Sequence, residues 1–132
     1  RWAKKYNTPY KLNPHFPMMT LMVQRAAQEW VTRPDFEKYL AAIFNAAWQD
    51  QKNIADKAVL AEVLTAAGFS PEEFFAAAEN PANKEKLKAT TDEAVERGVF
   101  GAPTFFVGPK ESEEMHFGQD RLDFVEEALM RA

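Results

Sequence analysis

The stretch GVFGAPTFFVG, residues 98–108, places two glycines and a proline directly before an uninterrupted run of strand-forming residues. Proline cannot donate to a sheet ladder, so it is tolerated at the first residue of a strand, on an edge or at a bulge. Pro103 stands at such an entry. Because an X-Pro bond adopts the cis form at little cost, we expect a cis Ala102–Pro103 bond that holds a loop against the strand at 104–107. The alternative is an ordinary trans proline that opens the strand.

The composition indicates one soluble domain. Of the 132 residues, 46% are hydrophobic, which is enough to fill a single core, and no run approaches the ~18 consecutive apolar residues that span a bilayer. The formal net charge is −4, and the basic residues are scattered among acidic ones, which argues against nucleic acid as a partner. We expect a cytoplasmic protein that binds neither nucleic acid nor membrane.

Cysteine is absent from the sequence, which excludes a disulfide framework, a thiolate metal site and a cysteine nucleophile within these residues. The two histidines, His15 in a proline-bounded loop and His116 in a predicted strand, have no second ligand at metal spacing. We therefore expect no metal site.

Helical periodicity dominates residues 19–97. Apolar residues recur at spacings of three and four, as the buried face of a helix requires. One predicted face comprises Met19, Met22, Val23, Ala26, Ala27 and Trp30. A second, with Pro34 in the first helical turn, comprises Phe36, Tyr39, Leu40, Ile43, Phe44, Ala47 and Trp48. The methionines Met18, Met19 and Met22 are either helix core, which the spacing favours, or the lining of an adaptable substrate pocket.

Capping residues mark three further helices. Asp56 can cap a helix that Gly68 ends, and Ser70 with Glu73 forms a capping box at the start of the next. The Asn-Pro pair at 80–81 opens the last of them, which runs to the glycine that begins the quoted stretch.

Strands are predicted only near the C-terminus. TFFV (104–107) and MHF (115–117) are separated by a polar connection, which indicates an antiparallel hairpin. The closing GQDRLDFVEEALM predicts a helix with Asp120 as its N-cap and Asp123 in the first turn.

The predicted hairpin is marginal alone, and Phe105 beside Phe106 gives its first strand apolar groups on both faces. Residues 1–97 hold no further strand candidate. The chain opens on RWAKKYNTPY, which has no initiator methionine and resembles the last turns of a helix already under way. We therefore expect the missing strands to come from another chain or from a segment upstream of residue 1.

Two stretches carry a resemblance to a known family. GVFGAPTFFVG followed by FGQDRLDFVEEAL resembles the C-terminal signature of the 2-hydroxychromene-2-carboxylate isomerases and the related kappa-class glutathione transferases. LNPHFPMMTLMVQRA, residues 12–26, is similar to the loop and helix that lead into the helical insertion of that family. The resemblance implies an α/β fold, mostly α in this chain: the C-terminal part of a DsbA-like thioredoxin fold, in which a β-hairpin and a final helix follow a helical insertion domain.

That template divides the chain into three parts. Residues 1–11 end a helix that leads from the thioredoxin part, residues 12–98 form the helical insertion domain, and residues 99–132 form the closing strand-strand-helix unit. The family's opening strand, helix and strand have no counterpart here. The catalytic serine that the resemblance implies is therefore expected upstream of residue 1, and no catalytic residue is named within the chain.

The resemblance also implies a glutathione site. In thioredoxin-like proteins the residue before the cis-proline pairs its backbone with a peptide ligand, and Ala102 beside Pro103 takes that role here. Gln119 and Asp120, at the start of the last helix, would hold the γ-glutamyl end, with the Asp120 carboxylate facing the ammonium group of the ligand. The alternative is that Asp120 only caps its helix.

The implied activity is a glutathione-dependent cis-trans isomerisation in the degradation of aromatic compounds. A small aromatic substrate would lie between the thioredoxin part and the insertion, the enzyme would be a homodimer, and this portion would be inactive alone. The alternatives are a DsbA-like thiol-disulfide oxidoreductase, a kappa-class glutathione transferase, and a non-enzymatic module whose hairpin edge recruits another chain or forms a swapped dimer. His15 lies in a loop that approaches the family's active site, yet a solvent-facing position is favoured.

Overall fold

A computed structural model describes residues 1–131, which form seven α-helices, a two-stranded sheet and a short 3-10 helix. In chain order the elements are α1 Trp2–Lys5, α2 Leu21–Trp30, α3 Phe36–Trp48, α4 Lys57–Ala66, α5 Pro71–Glu79, α6 Pro81–Glu96, β1 Thr104–Val107, β2 Glu114–Phe117, the 3-10 helix Gln119–Arg121, and α7 Leu122–Arg131. The chain divides into two compact units, Arg1–Ala89 and the residues from Thr90 onward. Each unit is described by itself.

An aromatic core holds the first unit together. Trp30 of α2 is only 1% exposed, and its ring centroid lies 5.0 Å from that of Tyr39, 5.2 Å from that of Phe69 and 5.8 Å from that of Phe74. Aromatic rings bury the largest areas of any side chains and contribute further through edge-to-face contacts. Helices α2, α3 and α5 therefore meet at Trp30.

The predicted helical faces are confirmed at their centres and wrong at their edges. The buried residues of the two faces are Val23, Ala26, Trp30, Tyr39, Ile43 and Ala47, and partly buried residues that pack against them include Met18, Met22 and Trp48. Met19 precedes α2 and is 67% exposed, while Phe44 is 60% exposed and Leu40 is 37% exposed. Periodicity marks the whole apolar stripe, whereas the neighbouring helices cover only its middle.

The start of α3 differs from the prediction. The helix begins at Phe36, and Pro34 lies in the turn before it. The Phe36 N–H donates to the Arg33 carbonyl oxygen at 3.2 Å, and the Arg33 guanidinium lies 3.1 Å from the Asp35 carboxylate. The hydrogen bond closes a turn over residues 33–36, and the helix starts two residues later than the proline suggested.

The predicted N-caps of α4 and α5 are confirmed, but the Glu73 side chain does not complete the expected capping box: its carboxylate lies 3.8 Å from the Arg33 guanidinium. The Asp56 carboxylate accepts hydrogen bonds from the N–H groups of residues 58 and 59 at 2.8 and 3.2 Å, and the Ser70 hydroxyl accepts from the Glu73 N–H at 3.2 Å. Gly68 ends α4 with a φ of +79°, which glycine adopts without steric cost. Each cap satisfies backbone groups that a helix end leaves unpaired.

The second unit contains the predicted hairpin. Strands β1 and β2 pair antiparallel with Thr104 opposite Phe117 and Val107 opposite Glu114. Helix α7 packs against the sheet. Among the described residues of this unit, only Val107 and Ala128 are buried apolar side chains. This unit therefore has a much smaller core than the first.

No helix within residues 1–131 combines the length and the apolar character that crossing a bilayer demands.

Tyr39 should make the stability of the first unit depend on alkaline pH. Burial raises the pKa of the Tyr39 phenol well above its ordinary value, and its hydroxyl donates to the Val23 carbonyl oxygen at 2.6 Å. An unfolded tyrosine ionises near pH ~10, so above that pH the unfolded state releases a proton that the folded state keeps. The contribution of Tyr39 to the free energy of unfolding is therefore complete below this pH and declines above it.

We expect the urea midpoint of Tyr39→Phe to fall less steeply between about pH 9 and pH 11 than that of the wild type. Tyr10→Phe, at a position that is 54% exposed, is the matched control and should keep the wild-type slope. Identical slopes in all three proteins would contradict the assignment of this pH dependence to Tyr39.

Candidate functional site

The hairpin brings two loops together at one end of the sheet. Thr104 pairs with Phe117 in the ladder, and directly beyond this pair the Gly118 N–H donates to the Pro103 carbonyl oxygen at 2.9 Å. Residues 101–103 therefore lie beside residues 118–120. We call these two segments together the proline corner. It contains all four candidate site residues: Ala102, Pro103, Gln119 and Asp120.

The backbone of the proline corner is open to a ligand. The Ala102–Pro103 peptide bond is cis, and both residues are exposed. Within residues 1–131, neither the N–H nor the carbonyl group of Ala102 has a hydrogen-bond partner on the chain. The Thr104 hydroxyl, by contrast, donates to the Gly101 carbonyl oxygen at 2.6 Å and fixes the turn from inside. Ala102 thus presents one donor and one acceptor to solvent.

Two glycines lie in tight surroundings in the proline corner. A Cβ atom on Gly101 would lie 2.7 Å from the ring of Phe117, which itself packs against Phe100 at a centroid separation of 4.6 Å. Gly118 has a φ of +104°, and a Cβ there would lie 2.5 Å from the Asp120 carboxylate. A side chain on Gly101 would displace the Phe117 ring, and any other residue at 118 would be strained by the positive φ.

The prediction that Asp120 is the N-cap of the last helix is wrong. A 3-10 helix over Gln119–Arg121 comes first, Gly118 takes the capping position without a side-chain hydrogen bond, and α7 begins at Leu122. The positive φ of Gly118 turns the chain directly after β2, and the Arg121 N–H donates to the Gly118 carbonyl oxygen at 3.2 Å. Asp120 is exposed and makes no capping bond, which leaves its carboxylate available for another partner.

Arg97 stabilises the segment that leads to the proline corner. Its role was not predicted from the sequence. Its guanidinium carbon lies 3.6 Å from the ring centroid of Phe106. The same group is 2.7 Å from the Glu113 carboxylate and 3.4 Å from that of Glu93. The sequence offered one signal for this role: the arginine stands one residue before Gly98, at the end of a long helix. Arg97 thereby ties the end of α6 to β1 and to the hairpin loop.

The two histidines lie in unlike surroundings. His15 is exposed, and its backbone N–H donates to the Asn13 side-chain oxygen at 2.9 Å. The His116 side chain is 13% exposed, and its Nε2 atom lies 3.8 Å from the Glu114 carboxylate. Within residues 1–131 no group of three or more histidine, aspartate or glutamate side chains is arranged to hold a metal ion.

Asn13 holds the loop that carries His15, and it is a second residue that the sequence analysis passed over. Its side chain is buried, with Nδ2 donating to the carbonyl oxygens of Ala47 at 2.7 Å and Lys52 at 2.8 Å. The same loop contains a second cis bond, Phe16–Pro17. The signal in the sequence was an asparagine placed just before two closely spaced prolines. Asn13 joins this loop to the end of α3.

The fold and the corner define a thioredoxin-like protein of the DsbA type. A family model described as the DSBA-like thioredoxin domain matches residues 1–130, and the chain belongs to that family.

Within this family, the named relatives are isomerases. The chain is 26% identical to a 2-hydroxychromene-2-carboxylate isomerase of Sphingobium xenophagum, over 98% of the chain and 64% of that protein. It is 29% identical to an isomerase of the same name from Pseudomonas putida, over 99% of the chain and 62% of that protein. The chain thus spans slightly more than six tenths of the length of these curated relatives.

Solved structures agree with the fold. The structure of a 2-hydroxychromene-2-carboxylate isomerase superposes with a TM-score of 0.76 at 28% identity, over 99% of this chain and 62% of that one. A candidate protein disulfide isomerase from Nitrosomonas europaea superposes with a TM-score of 0.68 at 15% identity, over 98% of this chain and 68% of that one. The second likeness concerns the fold alone. The expected DsbA-like thioredoxin fold, with its helices, hairpin and final helix, is confirmed.

Proposed function

We propose that this chain is the glutathione-binding portion of a glutathione-dependent isomerase that acts on a small aromatic carboxylate of the 2-hydroxychromene-2-carboxylate type. The observation that carries the proposal is the exposed, unpaired backbone of Ala102, on a segment that the Gly118–Pro103 hydrogen bond joins to the segment with the exposed Asp120. The names of the relatives, at 26% and 29% identity, support the reaction class.

The residues of the corner suit the two chemically distinct parts of glutathione. The unpaired N–H and carbonyl groups of Ala102 can pair with the cysteinyl backbone of a peptide as one more strand would. The exposed Asp120 carboxylate offers a charge-assisted acceptor for the γ-glutamyl ammonium group. The first N–H groups of the helical turn at Gln119 have no acceptor within that turn, and they suit the γ-glutamyl carboxylate.

Bound glutathione would supply a thiolate as nucleophile: its addition would convert a conjugated double bond of the substrate to a single bond that can rotate, and its departure would restore the double bond. In this scheme Ala102 and Asp120 orient the peptide, so that its sulfur has one fixed position. The serine that the resemblance implies as thiolate partner is not assigned to any residue of the chain. We therefore expect the 132 residues to bind glutathione without isomerising a substrate.

Asp120→Asn should weaken the binding of reduced glutathione about five- to tenfold, because a charged acceptor for the ammonium group becomes a neutral one. Asp123→Asn is the matched control: it removes the same charge from an exposed position three residues later and should leave the affinity unchanged. Isothermal titration calorimetry measures both.

A second ligand tests the contact between the Asp120 carboxylate and the ammonium group separately from the rest of the site. Deamino-glutathione lacks the ammonium group, so the wild type should bind it less tightly than glutathione, and Asp120→Asn should bind both ligands about equally. If Asp120→Asn and Asp123→Asn reduced the affinity by the same factor, the role of the Asp120 carboxylate would be refuted.

A further inference from the structure

The first unit contains an open apolar cavity of about 310 Å³ that is lined by residues of α2 and α3 and by Ile54. None of the residues that line it belongs to the proline corner. Four of the lining residues are at most 7% exposed: Val23, Ile43, Ala47 and Ile54. The cavity therefore reaches the core of the first unit and is more than a shallow surface depression.

Two aromatic side chains form the walls. Phe44 is 60% exposed and Trp48 is partly buried, and both face the cavity. The Trp48 ring is held from outside the cavity by Tyr10, at a centroid separation of 5.9 Å, and by Phe16, also at 5.9 Å. A ring fixed by two aromatic neighbours is a preorganised wall, because it loses little freedom when a ligand packs on it.

The rim is polar but uncharged. Thr20 and Gln24 complete the lining, and the Gln24 amide donates to the Thr20 hydroxyl at 2.9 Å. That bond uses one amide hydrogen and leaves the Gln24 carbonyl oxygen as an acceptor at the mouth of the cavity. No lysine, arginine, aspartate, glutamate or histidine is among the lining residues. A charged ligand would lose water in this cavity without gaining a counter-ion.

We infer that this cavity is a binding site for a neutral, planar aromatic molecule of about two fused rings that carries one hydrogen-bond donor. The volume lies at the lower end of the range of about 300–1,000 Å³ typical of ligand pockets, which favours a small ligand. The two aromatic walls favour a flat one, since stacked and edge contacts add to the burial of its surface. This cavity does not suit the substrate of the proposed function. That substrate is a carboxylate, and the lining of the cavity has no cation that could pair with it.

The experiment compares 2-naphthol, which is neutral at pH 7, with 2-naphthoate, which has the same rings and a negative charge. We expect the protein to bind 2-naphthol saturably at about one molecule per chain in calorimetry, and at least tenfold more tightly than 2-naphthoate. Equal affinity for the two probes, or no saturable binding of 2-naphthol up to its solubility limit, would overturn the inference.

Variants locate the site. Ala47→Leu fills part of the cavity and should lower the affinity for 2-naphthol at least tenfold, while Ala41→Leu adds the same side chain at an exposed position of the same helix and should change nothing. Since a larger residue at a buried position can disturb folding, Phe44→Ala provides a second test at an exposed position. It removes one wall and should weaken binding at least threefold. Wild-type affinity in both Ala47→Leu and Phe44→Ala would place the ligand elsewhere and reject the site.

Discussion

Trp30→Ala is expected to lower the free energy of unfolding by about 3–5 kcal/mol, the range typical of a large aromatic side chain removed from a core. The Trp30 ring contacts three other aromatic rings from different parts of the first unit, and none of them can fill the space it leaves without moving. Urea unfolding followed by circular dichroism at 222 nm measures the loss.

Two further substitutions test whether the loss of stability comes from the aromatic contacts of Trp30. Trp30→Phe keeps a smaller ring and should lose only about 1–3 kcal/mol. Trp2→Ala removes a tryptophan that is 37% exposed and should lose much less than Trp30→Ala. A similar loss at Trp2 and Trp30 would mean that the four-ring cluster is not the centre of the core.

Asn13→Ala is expected to lower the free energy of unfolding by about 2–4 kcal/mol. It leaves the carbonyl oxygens of Ala47 and Lys52 without their buried donor, and an unsatisfied buried polar group costs about 1–3 kcal/mol. Thermal and urea unfolding both report this change.

The isosteric variant Asn13→Asp separates hydrogen bonding from packing. It keeps the shape of the side chain but turns carboxylate oxygens toward two carbonyl oxygens, so it should cost at least as much as Asn13→Ala. Asn45→Ala, at an exposed position of α3, is the control and should change stability by no more than about 0.5 kcal/mol. If Asn13→Asp were as stable as the wild type, the two donated bonds would not hold the loop.

Local signals in the sequence were sufficient for most helices and for the hairpin. Asp56 and Ser70 cap their helices as predicted because capping depends on a few neighbouring residues only. The failures occurred where a distant or competing contact decides. Phe44 has the right spacing for the core, yet its side chain is 60% exposed. The turn at 33–36 is closed by a hydrogen bond from the Phe36 N–H to the Arg33 carbonyl oxygen, which helix propensity does not include.

The residues of the candidate site could be predicted from the sequence, but the contacts between them could not. The proline at position 103 and the upstream glycines at 98 and 101 pointed to a special turn, and the resemblance pointed to Gln119 and Asp120. The contact between the two segments depends on the register of β1 and β2, which places Gly118 opposite Pro103. The role of Arg97 depends on the distance between a helix end and Glu113, sixteen residues later. Neither could be deduced from spacing along the chain.

The second unit buries few apolar residues besides Val107 and Ala128. This small core offers a way to measure ligand binding at the proline corner. A region with so small a core opens by local fluctuation far more often than the aromatic cluster around Trp30 does, so its strand amides should exchange with deuterium early. A peptide that binds only the closed form would slow that exchange in proportion to its concentration. Protection of the amides of β1 and β2 would then report ligand binding directly, without any catalytic turnover.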